Sequence, residues 1–141
     1  MLNLSRIRNV AVALDVSGGI PNDTFRRTFE WLDAEFTDQN VHVDVWTFDT
    51  HVRDHKTFSP YRPNNINAFK NIRAGGGTIL GVNWAHMRAK NIKPDLFIVV
   101  GDGFYMFDML EEANYCPTLW AIYRDVAPNG FKPPFGEVIG V

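Results

Sequence analysis

The chain has 141 residues, which is room for one domain, 1–141, and not for two. Hydrophobic residues make up 45% and charged residues 21%, as in a globular protein with a real core. The net charge of −2 gives neither the basic field that nucleic acid needs nor an acidic excess that would imply a cationic partner.

The single cysteine, Cys116, allows no internal disulfide and favours a reducing compartment. Met1–Asn9 has no apolar segment of the kind a secretory signal needs. No stretch approaches the roughly 20 apolar residues of a membrane span. The expectation is a cytoplasmic protein with no membrane partner.

In chain order, Val10 to Leu14 is a continuous apolar run ending at Asp15, which suits a strand buried on both faces of a parallel sheet. Ser17-Gly18-Gly19 breaks it. Pro21 to Thr24 supply helix-start chemistry. Phe25, Phe29, Leu32 and Phe36 then fall on one helical face, and Asp38 to Asn40 end that helix. Val41 to Phe48 alternates as a second strand, with Val41, Val43 and Val45 on one face. The more polar Thr50 to Phe58 predicts an antiparallel edge strand. Ser59 to Asn65 is a loop, and Ile66 to Ile72 reads as a short helix. Gly75-Gly76-Gly77-Thr78 precedes a helix carrying Leu80, Trp84 and Met87, which Pro94 and Asp95 stop. Leu96 to Val100 is a second fully apolar strand, ending at Gly101-Asp102-Gly103. Phe107 to Ala113 predicts a helix, Thr118 to Tyr123 a strand, and Val138 to Val141 a short last one.

Strands alternating with helices predict a single-domain doubly wound α/β fold: a mostly parallel six-stranded sheet with one antiparallel edge strand. The strand ending at Asp15 should lie beside the one ending at Asp102, because both apolar runs need burial on two faces. Such sheets bind ligands beyond the carboxyl ends of their strands, where strand order reverses. Asp15, Ser17, Thr78 and Asp102 all fall at element ends there. Two carboxylates and two hydroxyls suit a hard divalent cation that keeps several waters, Mg2+ or Mn2+. Neighbouring glycines allow close backbone approach. The alternative for either aspartate alone is a helix cap.

These residues resemble the metal-ion-dependent adhesion site (MIDAS) of von Willebrand factor A (VWA) domains. Its pattern is Asp-x-Ser-x-Ser after the first strand, a later Thr, and an Asp after the fourth strand. The match is at Asp15, Ser17, Thr78 and Asp102; the second serine is replaced by Gly19, so the site is degenerate and weaker binding is expected. The stretches Val-Ala-Leu-Asp-Val-Ser-Gly-Gly, Gly-Gly-Gly-Thr, Pro-Asp-Leu-Phe-Ile-Val-Val-Gly-Asp-Gly and Pro133 to Ile139 look like the VWA-like domain of predicted bacterial metallopeptidase-type proteins. That subfamily carries another domain upstream, so the chain reads as a free-standing version. The resemblance implies a non-enzymatic module that binds another protein, with a partner carboxylate completing the metal's coordination. It names an AAA-type ATPase or a metallopeptidase-like chain as partner.

Two alternatives stand beside this reading. One is a structural domain with a vestigial site. The other is a magnesium-dependent phosphatase resembling the haloacid dehalogenase type, with Asp15 as nucleophile, Thr47 ending the next strand and Asp108 as a further acid. That type has an acid two residues after the nucleophile, and here the position is Ser17, which does no general-acid work at neutral pH. The glycine loop lacks a P-loop lysine, which argues against a nucleotide. His42, His51 and His55 are expected on the surface rather than around zinc, and no His-Glu-x-x-His is present. Cys116 is read as a small buried hydrophobe. Among Phe104, Tyr105, Met106 and Phe107, at least two should fold into the core and the others border the site as an apolar patch.

Overall fold

The computed structural model describes residues 6–17, 22–63, 77–107, 110–125 and 130–141, with backbone only for 22–25. Its elements are β1 (Asn9–Asp15), α1 (Asn22–Phe36), β2 (His42–Phe48), β3 (Val52–Phe58), α2 (Gly81–Ala89), β4 (Leu96–Gly101), β5 (Thr118–Ile122) and β6 (Glu137–Gly140). They form one six-stranded sheet in the order β3-β2-β1-β4-β5-β6. Every pairing is parallel except β2 with β3. β1 lies between β2 and β4, with Val12 opposite both Val45 and Ile98.

Side-chain size decides which helix covers which face. Val10, Val12 and Leu14 point to one side and pack with Val43, Val45, Ile98 and α1 residues Phe29, Leu32 and Phe36. Ala11 and Ala13 point to the other, where Trp46, Trp84, Phe97 and Trp120 gather under α2. The alanines leave room for those rings: Trp84 meets Phe97 edge-on at 5.2 Å between centroids, and Trp46 stacks on Phe97 at 5.9 Å. Trp46, Trp84 and Trp120 are fully buried, and truncating any one to alanine costs about 3–5 kcal/mol.

β3 is made of exposed and half-buried residues throughout, and its charged side chains Arg53, Asp54 and Lys56 protect an open edge from pairing with another chain. It starts at Val52 rather than Thr50, because Asp49, Thr50 and His51 make the turn, closed by Asp49 N–H to His51 C=O at 3.1 Å.

α2 ends at Ala89, five residues before Pro94. Asn91 takes a positive φ of 55°, and Ile92 N–H returns to Met87 C=O at 2.8 Å, a hydrogen-bonded stop that needs no proline. Residues 107 and 110–113 form no helix, contrary to the expectation for Phe107 to Ala113. Phe107 is held against Trp120 and Phe131, and so short a segment does not sustain a helix alone. The expected helix at Ile66 to Ile72 lies outside the described residues. The last strand runs one residue earlier than expected, over Glu137–Gly140.

Candidate functional site

The strand order places a switch point between β1 and β4: the chain leaves β1 toward β2 and leaves β4 toward β5, in opposite directions. Open α/β sheets bind ligands at such a point, beyond the carboxyl ends of the strands. Leu14 pairs with Val100, so Asp15, the last residue of β1, and Asp102, just past β4, flank that point.

Asp15 lies on the same face as Ala11 and Ala13, toward α2, and is fully buried. It rests against Gly101. A Cβ on Gly101 would sit 2.8 Å from Asp15 Cβ and 2.9 Å from Asp15 Oδ2, and would collide with the Tyr105 hydroxyl. Glycine at this strand end is therefore what admits both the carboxylate and the phenol.

One carboxylate oxygen is satisfied and the other is not. Asp15 Oδ1 accepts Ser17 N–H at 2.8 Å, a turn that also fixes the buried Ser17 beside it. Asp15 Oδ2 and the Tyr105 hydroxyl are buried with no well-formed hydrogen bond among the described residues, although they lie close enough for the phenol to lower the Asp15 carboxyl and for the carboxyl to raise the phenol. Burial pushes the Asp15 carboxyl up to about 6, and the Asp102 charge pushes the same way against the Ser17 hydrogen bonds. The Tyr105 phenol is raised well above its ordinary value, by burial first and by Asp15 and Asp102 next. An ionisable group so displaced at the switch point marks a functional-site candidate.

Asp102 is half-exposed, and its Oδ1 accepts Phe104 N–H at 3.0 Å. Thr78 is half-buried. Its loop is tied to the β2–β3 turn by Ile79 N–H to Asp49 C=O at 3.0 Å and by Gly77 lying close to Thr50. That turn is at the carboxyl end of β2, which neighbours β1. The fold thus brings Asp15, Ser17, Thr78 and Asp102 to one sheet edge. Gly19 and Gly75 lie outside the described residues. Among the described residues no three or more His, Cys, Asp or Glu side chains are grouped to hold a metal; a set of two carboxylates and two hydroxyls is not such a group.

Beyond Asp102 the chain alternates. Tyr105 and Phe107 turn inward onto Trp120, at 6.0 and 5.5 Å between ring centroids. Phe104 and Met106 turn outward and are 63% and 79% exposed. Ile79, next to Thr78, is 51% exposed. The carboxyl edge therefore carries exposed apolar side chains beside its carboxylates.

Residues 10–141 match the family model described as VWA-like domain (DUF2201). The chain belongs to the VWA-like domain family. No curated protein matches it. The VWA-like domain places Thr47, the residue considered for a phosphatase role, on the opposite face of the sheet from Asp15, since Thr47 pairs with Leu14 and Asp15 with Phe48. The Thr47 hydroxyl accepts Asp54 N–H at 3.2 Å. Asp108 lies outside the described residues.

The VWA-like domain also holds a histidine cluster that departs from the expected surface placement. His51 is exposed, as expected, but His42 and His55 are half-buried. His42 Nε2 and His55 Nε2 bond the two oxygens of Asp44 at 3.0 and 2.9 Å. Thr57 Oγ1 donates to Asp44 Oδ1 at 2.6 Å, and His55 Nδ1 meets His86 Nε2 at 2.7 Å. The three donors hold the Asp44 carboxyl at about 2 despite its burial. Sequence reasoning missed Asp44 and His86. The signal for Asp44 was the two-residue spacing from His42, which puts both on one face of β2. His86 joins only through the tertiary packing of α2. Cys116 is buried, as expected, and burial raises its thiol to about 11.

Proposed function

We propose that this VWA-like domain is a non-enzymatic protein-binding module, and that its carboxyl edge takes Mg2+ or Mn2+ weakly through Asp15, Ser17, Thr78 and Asp102. The observation that carries the reading is the buried Asp15 Oδ2, which among the described residues has the Tyr105 hydroxyl beside it but no well-formed hydrogen bond, at the switch point of the sheet and beside a second carboxylate. An ionised carboxylate in that position needs a counter-charge. The donors fit a hard cation, which accepts carboxylate and hydroxyl oxygens and keeps its remaining waters. When bound, the cation neutralises Asp15 and Asp102 and offers an exchangeable position to a partner's carboxylate.

Ser17 N–H fixes the Asp15 carboxylate, and the Asp102 turn fixes the second one. Phe104, Met106 and Ile79 supply apolar contact around them, and exposed apolar side chains near the switch point suit a protein partner. From the resemblance to metallopeptidase-type proteins, the partner we favour is an AAA-type ATPase or a metallopeptidase-like chain. A cytoplasmic setting agrees with the lone cysteine. No helix among the described residues is long and apolar enough to cross a membrane.

The test is calorimetric titration of three proteins with Mg2+ and Mn2+. The wild type should bind weakly. Gly19→Ser, which restores the adhesion-site hydroxyl, should bind more tightly, and Asp102→Ala should not bind. Equal binding by wild type and Asp102→Ala, or no binding by wild type and Gly19→Ser at millimolar metal, refutes the metal reading. Turnover of a generic phosphoester that is lost in Asp15→Asn would instead identify a phosphatase.

A further inference from the structure

On the face away from α1, the edge strand β3 and helix α2 are joined through side chains that no role at the carboxyl edge uses. Two ties hold α2 to the sheet there. One is neutral and fully buried: Trp46 Nε1 donates to Asn83 Oδ1 at 2.8 Å, and Asn83 Nδ2 returns to Leu80 C=O at 3.0 Å. The other is titratable and runs from α2 through β3 to β2, His86 to His55 to Asp44 to His42. We propose that this second tie is a proton-sensitive latch, holding α2 on the β2–β3 edge and letting go when the His55–His86 pair takes up its second proton.

Proton placement follows from donor and acceptor arithmetic. Asp44 is ionised and only accepts, so His42 and His55 each present Nε2–H to it. The neutral His55 then has a bare Nδ1, and at 2.7 Å the facing His86 Nε2 must carry the hydrogen. One proton added to the pair is accommodated, because one N–H can still face one bare ring nitrogen across the contact. A second proton leaves two N–H groups facing each other with like charge, and no hydrogen bond is then possible.

The surroundings oppose that second charge. Lys90, the residue that follows α2, acts on His86 in the same sense as His55 does. Lys93 lines a cleft together with His42 and Asp44. Arg53, two residues from His55 across the irregularity in the β2–β3 register, is held by Asp49. Asp44 favours protonation, but it already receives three donors. The Trp46 ring covers both imidazoles, at 5.3 Å from His55 and 4.9 Å from His86 between centroids. Burial first, then His55 and Lys90, hold the His86 pKa below its ordinary value.

A base whose pKa is lowered in the docked state takes up its proton more readily once the helix opens. Docking is therefore complete above the ordinary histidine pKa and weakens as pH falls through it. For one group with an open-state pKa of about 6.5, the limiting effect between pH 7.5 and 5.5 is an approximately tenfold rise in the opening constant. The latch stands whether or not the carboxyl edge holds a metal.

Amide hydrogen exchange of α2 in the full chain, corrected for intrinsic exchange rates and measured at several pH values, reads that opening. In the wild type the opening constant should rise up to about tenfold from pH 7.5 to 5.5. In His86→Gln, whose amide can still donate to His55 without titrating, the dependence should flatten. Equal pH dependence in the two proteins overturns the proposal. Nitrogen-15 NMR of the wild-type imidazoles gives a check that does not depend on a variant folding. At pH 7.5 both His55 and His86 should carry hydrogen on Nε2, and a bare Nε2 on His86 overturns the proposal.

Discussion

Replacing Asp15 by asparagine should make the metal-free protein more stable at neutral pH while abolishing its metal binding. The folded state raises the Asp15 carboxyl from its ordinary value of 3.8 to about 6, so the folded protein keeps this proton longer than the unfolded chain. Stability is therefore lost as pH rises from about 4 to about 6 and stays level above that. At pH 7.5 the ionised carboxylate costs the fold about 3 kcal/mol at most, from the conversion of roughly 1.4 kcal/mol per pKa unit. Asparagine keeps the oxygen that accepts Ser17 N–H and presents a neutral amide toward the Tyr105 hydroxyl. The assay is urea unfolding of both proteins with chelator present, from pH 4.5 to 8. The gap in favour of Asp15→Asn should widen up to about pH 6 and then stay constant, ending at about 2–3 kcal/mol. Millimolar Mg2+ should narrow it by stabilising the wild type alone. A variant that is less stable than the wild type at pH 7.5, or a gap that does not change with pH, refutes the claim that Asp15 is held ionised at a cost.

Further outcomes follow from the same coordinates. Gly101→Ala forces a methyl group into Asp15 and Tyr105 and should destabilise by about 1–3 kcal/mol, read as a lower denaturation midpoint. Asp44→Ala leaves the donors of His42, His55 and Thr57 without their acceptor and should cost about 2 kcal/mol or more. Because the Asp44 carboxyl is lowered to about 2, its contribution is complete above pH 4 and fades as pH falls toward 2, so wild type and variant should converge in acid unfolding. The double variant Phe104→Ser, Met106→Ser changes two exposed side chains; its stability should stay within about 0.5 kcal/mol of the wild type, while chelator-sensitive capture of the partner is lost. Cys116, buried with its thiol raised to about 11, should resist alkylation at pH 7.5 until the protein is unfolded.

The sheet was legible because its central strands leave the sequence little choice. Two runs of five apolar residues, Val10 to Leu14 and Leu96 to Val100, need cover on both faces, and only adjacent central positions supply it. The polar Thr50 to Phe58 segment could only be an edge. The positions of Asp15 and Asp102 were legible for a related reason: they stand where those runs stop, so the strands that set the fold also set where these carboxylates lie. What stayed hidden depended on contacts between distant segments. Nothing near Gly101 in sequence announces that its missing side chain makes room for both Asp15 and Tyr105. His86 reads as an ordinary helix residue until α2 is laid on β3. The false helix at Phe107 to Ala113 arose because Phe107 serves the Trp120 layer, and local pattern does not separate that from a helical stripe.

The two ends of the core differ in what they leave unsatisfied. Away from the switch point, backbone ladders and close aromatic packing fill the interior, and among the described residues the buried side-chain atoms without partners there are the neutral Thr37 Oγ1 and Trp84 Nε1. At the carboxyl edge Asp15 Oδ2 and the Tyr105 hydroxyl are buried with no well-formed hydrogen bond among the described residues, a second carboxylate stands nearby, and Phe104 and Met106 are exposed beside them. None of these features favours folding of the isolated chain. A buried charge opposes it, and exposed apolar side chains contribute nothing to it. Asparagine at residue 15 and serine at 104 and 106 would remove the buried charge and the exposed apolar side chains while leaving the strand pairings in place. A stability-driven sequence has no reason to keep them, which is why the edge is best explained by something that binds there.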